Sequence, residues 1–155
     1  MTISRAKPED APELTAIAFA AKRHWRYPEQ WMERWRDLLT IRPEFIVNHE
    51  THAAIDEGRI VGFYALFPQA DRIELQHLWV IPEQMHRGIG RSLFQHAVDR
   101  AKKLGFQKIE IESDPNAEGF YCRMGARRIR INTVLMDGRP RELPVLIYQI
   151  SDASI

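Results

Sequence analysis

Residues 72–104 read as strand, glycine turn and helix in that order, and no other stretch of the chain limits the fold as tightly. Residues 72–81 suit a sheet, and Pro82 ends them because proline has no N–H for a ladder. The turn is His86-Arg87-Gly88-Ile89-Gly90-Arg91-Ser92. Leu93, Phe94, Ala97, Val98, Ala101 and Leu104 then recur on one helical face. Lys102 and Lys103 suit the negative end of the helix dipole, and Gly105 stops the helix. A helix N-terminus carries unpaired N–H groups and partial positive charge, which together bind phosphate. Glycine lets the backbone approach an oxygen closely, and Arg87 and Arg91 can add direct charge. The turn is not a P-loop, since no Gly-Lys-Ser/Thr follows. Nor is it a full dinucleotide turn, since Leu93 stands where the third glycine belongs.

The flanking chain alternates strand and helix patterns, which points to an α/β layered domain. Residues 2–6 read as a strand. Pro8-Glu9-Asp10 starts a helix with Leu14, Ile17, Ala18 and Ala21 on one face. A second helix begins near Pro28 with the stripe Trp31, Trp35, Leu38 and Leu39. The link between them, His24-Trp25-Arg26-Tyr27, is unusually aromatic. Residues 51–56 and 59–67 flank Glu57-Gly58, a hairpin turn. Residues 108–112 form a strand, and 115–124 a short helix ended by Gly125. Strands follow at 126–134 and 143–150, with a turn at Asp137-Gly138. Residues 139–144 read either as a segment approaching the site or as an ordinary loop.

The length of 155 residues suits one domain spanning 1–155. With 45% hydrophobic and 28% charged residues, the composition is that of a soluble globular protein. A net charge of +1 gives no argument for nucleic acid. The single cysteine, Cys122, excludes a disulfide framework and a cysteine-rich zinc site, so no metal is expected. The N-terminus lacks the apolar run of a signal peptide. No apolar stretch approaches the roughly 20 residues of a membrane span. The expected setting is cytoplasmic, away from membranes. A homodimer is left open.

Leu75-Gln76-His77-Leu78-Trp79-Val80-Ile81-Pro82-Glu83-Gln84-Met85-His86-Arg87-Gly88-Ile89-Gly90 resembles the acyl-CoA-binding motif of the GNAT acetyltransferases. That motif is a strand, a pyrophosphate loop Gln/Arg-x-x-Gly-x-Gly/Ala, and a helix. Met85 departs from it, removing a polar side chain but no backbone donor. Asp114-Pro115-Asn116-Ala117-Glu118-Gly119-Phe120-Tyr121-Cys122-Arg123-Met124-Gly125-Ala126 resembles the later motif Asn-x-x-x-x-Phe-Tyr-x-x-x-Gly-Phe, with Ala126 in place of the final Phe. The two occur in family order and spacing, and the likeness spans nearly the whole chain.

The resemblance implies a three-layer fold: a mixed, mostly antiparallel sheet of six or seven strands, about four flanking helices and a splayed strand pair. It implies that main-chain groups of Leu78, Trp79 and Val80 hold the pantetheine arm. Met85, His86, Arg87, Gly88, Ile89, Gly90, Arg91 and Ser92 would hold the pyrophosphate, and Asn116 would contact the pantetheine or cap a helix. Glu74 falls where the family often has a general base, a group that a protonated amine requires. His77 is an alternative base. Tyr121 matches the family's general acid at the leaving thiolate. Cys122 is not expected to act covalently, since neighbours on a helix point about 100° apart. His24, Trp25, Tyr27 and Trp31 are candidates to line the acceptor side, as aromatic walls that suit an apolar or cationic group. The implied reaction is transfer of an acetyl group from acetyl-CoA to a primary amine of a small molecule or peptide. The competing reading is a non-catalytic acyl-CoA-binding module on the same fold. A Rossmann-like binder does not fit, because its glycine loop belongs near the N-terminus.

Overall fold

The computed structural model describes residues 1–150. Its strands are β1 (Thr2–Arg5), β2 (Glu50–Asp56), β3 (Arg59–Pro68), β4 (Ile73–Val80), β5 (Lys108–Glu112), β6 (Arg127–Met136) and β7 (Arg139–Gln149). Its helices are α1 (Ala11–Arg23), α2 (Glu29–Arg34), α3 (Arg36–Leu39), α4 (Pro43–Asn48), α5 (Ile89–Lys103) and α6 (Glu118–Arg123). The strands form one mixed sheet in the order β1-β2-β3-β4-β5-β7-β6. Seven strands fall within the six or seven expected, while the described residues form six α-helices rather than about four. The chain divides into two compact units. One comprises Met1–Leu66 and His77–His96; the other comprises Phe67–Gln76 and the chain from Ala97 onward.

In the first unit, β1 pairs antiparallel with β2, and β2 with β3. Glu57 and Gly58 have φ of 50° and 78°, the two positive values that a tight hairpin turn needs. Residues 60–66 are buried without alternation, the pattern of a strand covered on both faces. The expected face of α1 is buried at Leu14, Ile17, Ala18 and Ala21. The expected second helix differs. Trp35 sits at φ −89°, ψ 2° and separates α2 from α3, which resets the helical phase. Met32 and Leu39 therefore become the buried positions, and Leu38 is left exposed. The six-residue α4 is too short to show a period in the sequence.

In the second unit, β4 and β5 run parallel through Ile73↔Ile109 and Glu74↔Glu110, and both strands continue past this short ladder. That is the local pattern expected of a splayed pair. On β5, Ile109 and Ile111 are buried among Ile73, Ala97, Ala101 and Leu146 as this unit's core. β7 pairs antiparallel with both β5 and β6. Residues 139–144 are strand rather than an ordinary loop. Asp137 and Gly138, at φ 53° and 75°, reverse the chain so tightly that pairing resumes at Met136↔Arg139.

Candidate active site

The glycine turn lies in the first unit. A 3-10 turn at Pro82–Gln84 follows β4, and His86 and Gly88 take φ of 65° and 82° before α5 begins. At Gly88 this conformation favours glycine, because a Cβ is disfavoured at positive φ. An added Cβ would meet nothing within 4 Å, so the space beside the turn is open. The first intrahelical bond runs from Ser92 N to Gly88 O at 3.0 Å. The preceding N–H groups thus face the end of the helix without an intrahelical acceptor, in the partial positive charge that suits a phosphate. Arg87 and Arg91 are exposed beside them, Met85 is half-buried, and buried Ile89 anchors the first turn. A diphosphate fits this donor set, since backbone donors, two guanidinium groups and open space coincide.

The end of β4 is held closely in the same unit. Ile81 N donates to Val61 O at 2.9 Å. A Cβ on Gly62 would come within 2.8 Å of the Trp79 carbonyl oxygen, 3.0 Å of Leu93 Cδ1 and 3.4 Å of Val80 Cα. Glycine at 62 thus sets how near β3 runs to Trp79 and Val80, a role that the sequence reading missed. His77 Nδ1 accepts from Trp79 Nε1 at 2.9 Å, which places its ring proton on Nε2 when neutral. Phe45 and Phe63 stand against the His77 ring, and burial there, helped by the charge of His49, pushes its pKa down to about 4. His77 is therefore a neutral, packed imidazole at ordinary pH.

The four acceptor-side candidates, also in the first unit, fall into two groups. His24 and Trp25 pair edge to face at 5.1 Å. Tyr27 stacks on Trp31 at 5.8 Å, and Trp35 meets both edge-on at 5.0 and 5.9 Å. Lys22 Nζ lies 4.2 Å from the Trp35 ring centroid and 5.1 Å from that of Tyr27, a cation–π arrangement. Trp35 and Lys22 are thus members of the cluster that the sequence reading left out.

The second unit carries Glu74, Asn116 and Tyr121. Glu74 is half-buried, with Arg72 Nη2 at 3.8 Å, longer than a hydrogen bond. Its register partner Glu110 is engaged instead by Arg72 Nε at 2.9 Å and Arg130 Nη2 at 3.2 Å. Of the two carboxylates, Glu74 is the less committed. A shallow pocket on this unit is lined by residues that include Arg72, Lys108, Glu110, Arg127 and Arg130; neither Glu74 nor Tyr121 lines it.

Tyr121 is buried on α6, while the adjacent Cys122 is exposed, so the two side chains point apart as helical geometry requires. Burial, then the nearby Asp114 carboxylate, pushes the phenol above its ordinary range. Asn116 is not a cap. Asp114 caps instead, its Oδ1 accepting from Asn116 N at 2.8 Å and from Asn116 Nδ2 at 3.1 Å. An aspartate two residues earlier is the better-placed acceptor for an N–H in a turn this tight. Asp114 Oδ2 also accepts from Arg141 Nη2 at 3.3 Å. Among the described residues, no group of three or more His, Cys, Asp or Glu could hold a metal ion. No helix among them is long and apolar enough to cross a membrane.

Several solved structures share this architecture. A GCN5-related N-acetyltransferase from Rhodopseudomonas palustris has a TM-score of 0.78 and 22% identity over 96% of this chain and 94% of that one. The PaiA N-acetyltransferase from Thermoplasma acidophilum, in complex with coenzyme A, has 0.76 and 22% over 96% and 98%. The protein yncA from Salmonella typhimurium, with acetyl-CoA, has 0.71 and 17% over 100% and 96%. A search of curated proteins gave no match. The fold is thus that of the N-acetyltransferases. A sequence profile of the Acetyltransferase (GNAT) family matches residues 12–126, most of the chain, and the chain belongs to that family.

Proposed function

We propose that residues 1–155 act as a single cytoplasmic domain that transfers an acetyl group from acetyl-CoA to a primary amine of a small molecule or peptide. Transfer is direct, in a ternary complex. The observation that carries this reading is the turn into α5. There, Gly88 at φ 82°, the first helical N–H groups and exposed Arg87 and Arg91 offer a diphosphate both charge and space. The main chain of Leu78, Trp79 and Val80 would hold the pantetheine arm, and its N–H groups would support the negative charge that develops on the thioester oxygen.

Glu74 is the group that takes the proton from the acceptor ammonium, directly or through water. Its loose contact with Arg72 supports this role, since its oxygens are less engaged than those of Glu110. The amine nitrogen then bonds to the acetyl carbon, the carbon–sulfur bond breaks, and the electron pair leaves on sulfur. Tyr121 meets that thiolate. Its phenol, held above the usual value of about 10, is a weaker acid than a thiol near 8.5. Tyr121 therefore acts chiefly as a hydrogen-bond donor to the thiolate, keeping its own proton. Tyr27, Trp31 and the His24–Trp25 pair would line the acceptor side.

A thiol-release screen with acetyl-CoA over peptides, polyamines, amino acids and aminoglycosides tests the reading. Release above hydrolysis with at least one class is the expected result. Calorimetric binding of acetyl-CoA with no release across all classes would favour the non-catalytic module. No binding at all would remove both readings.

A further inference from the structure

We propose that the pocket on the second unit is a binding site for a phosphate dianion, free or as the head of a small monoester. The proposal does not depend on the acetyltransferase reading.

The pocket is built from one face of the sheet. Residues two apart on a strand share a face. Lys108 and Glu110 on β5 therefore point the same way as their register partners on β7, Gln149 and Ile147. Ile109, Ile111 and Leu146 take the opposite face and are buried in the core. Arg127 of β6 pairs with Ile147 and extends the same row. In a regular strand Arg130 would turn to the other face, since it stands three residues from Arg127. The ladder shifts instead. Arg128 pairs with Leu146 and Arg130 with Val145, leaving Ile129 as the extra residue. A bulge of this kind re-aims the side chains that follow it. Arg128 keeps the core face and binds Glu118 of α6 at 2.6 Å. Arg130 joins the face of Arg127, where its Nη2 donates across β7 to Glu110 Oε1 at 3.2 Å.

Charge then selects the occupant. The pocket, about 400 Å³, is lined by four cationic side chains, Arg72, Lys108, Arg127 and Arg130, and by the carboxylates of Asp71 and Glu110. Both carboxylates are already engaged. Arg72 Nη1 donates to Asp71 at 2.9 Å, and Arg72 Nε and Arg130 hold Glu110. Among the described residues, Lys108 and Arg127 form no ion pair, and Arg130 pairs with Glu110 alone. The whole chain carries a net charge of only +1, so an excess of two positive charges at one pocket is a local concentration. The volume falls in the range of small-molecule sites. A phosphate monoester carries roughly −1.5 to −2 charge near pH 7 and offers oxygens that a guanidinium fork grips two at a time. A single carboxylate would leave half of the excess unmatched. Ile129, 45% exposed at the bulge, and buried Ile147 give the carbon side of an ester an apolar wall.

The test is an NMR titration of the 15N-labelled protein with inorganic phosphate, benzyl phosphate and benzoate, each at constant ionic strength set by KCl. Both phosphates are expected to give saturable shifts at the amides of residues 127–130 and 147–149, and benzoate is not. Tighter binding of benzyl phosphate would assign the site to a monoester against the isoleucine wall, and equal binding would assign it to free phosphate; either supports the proposal. Arg127→Gln and Lys108→Gln are each expected to raise the Kd on the order of tenfold. Arg127 is exposed and has no ion pair to lose, so its variant reads binding rather than folding. Shifts confined to Gly88–Ser92, no saturable shift at all, benzoate binding as tightly as benzyl phosphate, or a parental Kd in Arg127→Gln would each overturn the proposal.

Discussion

Gly62→Ala is the sharpest test of how the sheet positions the end of β4. The new Cβ would lie 2.8 Å from the Trp79 carbonyl oxygen, 3.0 Å from Leu93 Cδ1 and 3.4 Å from Val80 Cα. Leu93 is fully buried in the core and has little room to rotate away. The Trp79 oxygen belongs to the backbone and moves only if the strand moves. Overpacking of this kind costs about 1–3 kcal/mol. The alanine returns about 0.4–1 kcal/mol by restricting the unfolded chain. The net loss is about 1–2 kcal/mol, which for a chain this long lowers Tm by about 2–8 °C. The same displacement moves the main chain of Trp79 and Val80, so calorimetric titration should show weaker binding of acetyl-CoA together with the lower Tm. A variant that melts at the parental temperature and binds acetyl-CoA as the parent does would refute the claim that this glycine sets the spacing. A lower Tm with unchanged binding would keep the packing argument and remove the main chain of Trp79 and Val80 from the coenzyme site.

Tyr121→Phe is expected to lower kcat by roughly 10²-fold, with little change in the Kd of acetyl-CoA, by steady-state kinetics and calorimetry. Glu74→Gln should also cut kcat/KM by roughly 10²-fold, with the loss greatest at low pH, where unprotonated amine is scarce; a parental pH profile would exclude Glu74 as the base. Gly88→Ala places a Cβ at φ 82° without a clash, so about 1–2 kcal/mol of stability should be lost, with weaker acetyl-CoA binding seen by calorimetry. His77 has a folded pKa of about 4 against 6.5 unfolded, so the unfolded chain binds the proton more tightly. Its contribution is complete above pH 6.5 and is lost as pH falls toward 4, up to about 3 kcal/mol, and urea melts of His77→Gln should show a flatter pH dependence than the parent.

What the sequence made legible was local. The strand, turn and helix of residues 72–104 could be read because proline, glycine and a helical apolar period each leave a signature within a few residues. The turn geometry at Gly88 and the buried face of α5 at Leu93, Phe94, Ala97 and Ala101 follow from that signature. The second helix misled for a local reason as well. The aromatic spacing of Trp31 and Trp35 imitates a core stripe, yet the chain breaks at Trp35; Leu39 is buried as expected, but Met32 takes the buried position in place of Trp31 and Trp35. Gly62 escaped notice because its constraint comes from another strand. Nothing among its sequence neighbours says that Trp79 lies 17 residues away and in van der Waals range.

The same distinction explains why the proposed catalytic groups could be picked out in the sequence and their surroundings could not. Tyr121 and Glu74 are recognised by where they stand relative to a turn and a strand. The partners of the neighbouring carboxylates Glu110 and Asp114 come from distant segments, which no local pattern reports. Arg130 reaches Glu110 across 20 residues and, with Arg72, occupies that carboxylate, while Arg72 stands 3.8 Å from Glu74. Arg141 reaches Asp114 across 27 residues, at 3.3 Å. In both cases β6 or β7 delivers a guanidinium to a carboxylate near the end of β5. On the proposed reading of Glu74 as the base, Arg130→Gln, which loosens Glu110 beside it, should alter the pH profile of turnover more than the melting temperature.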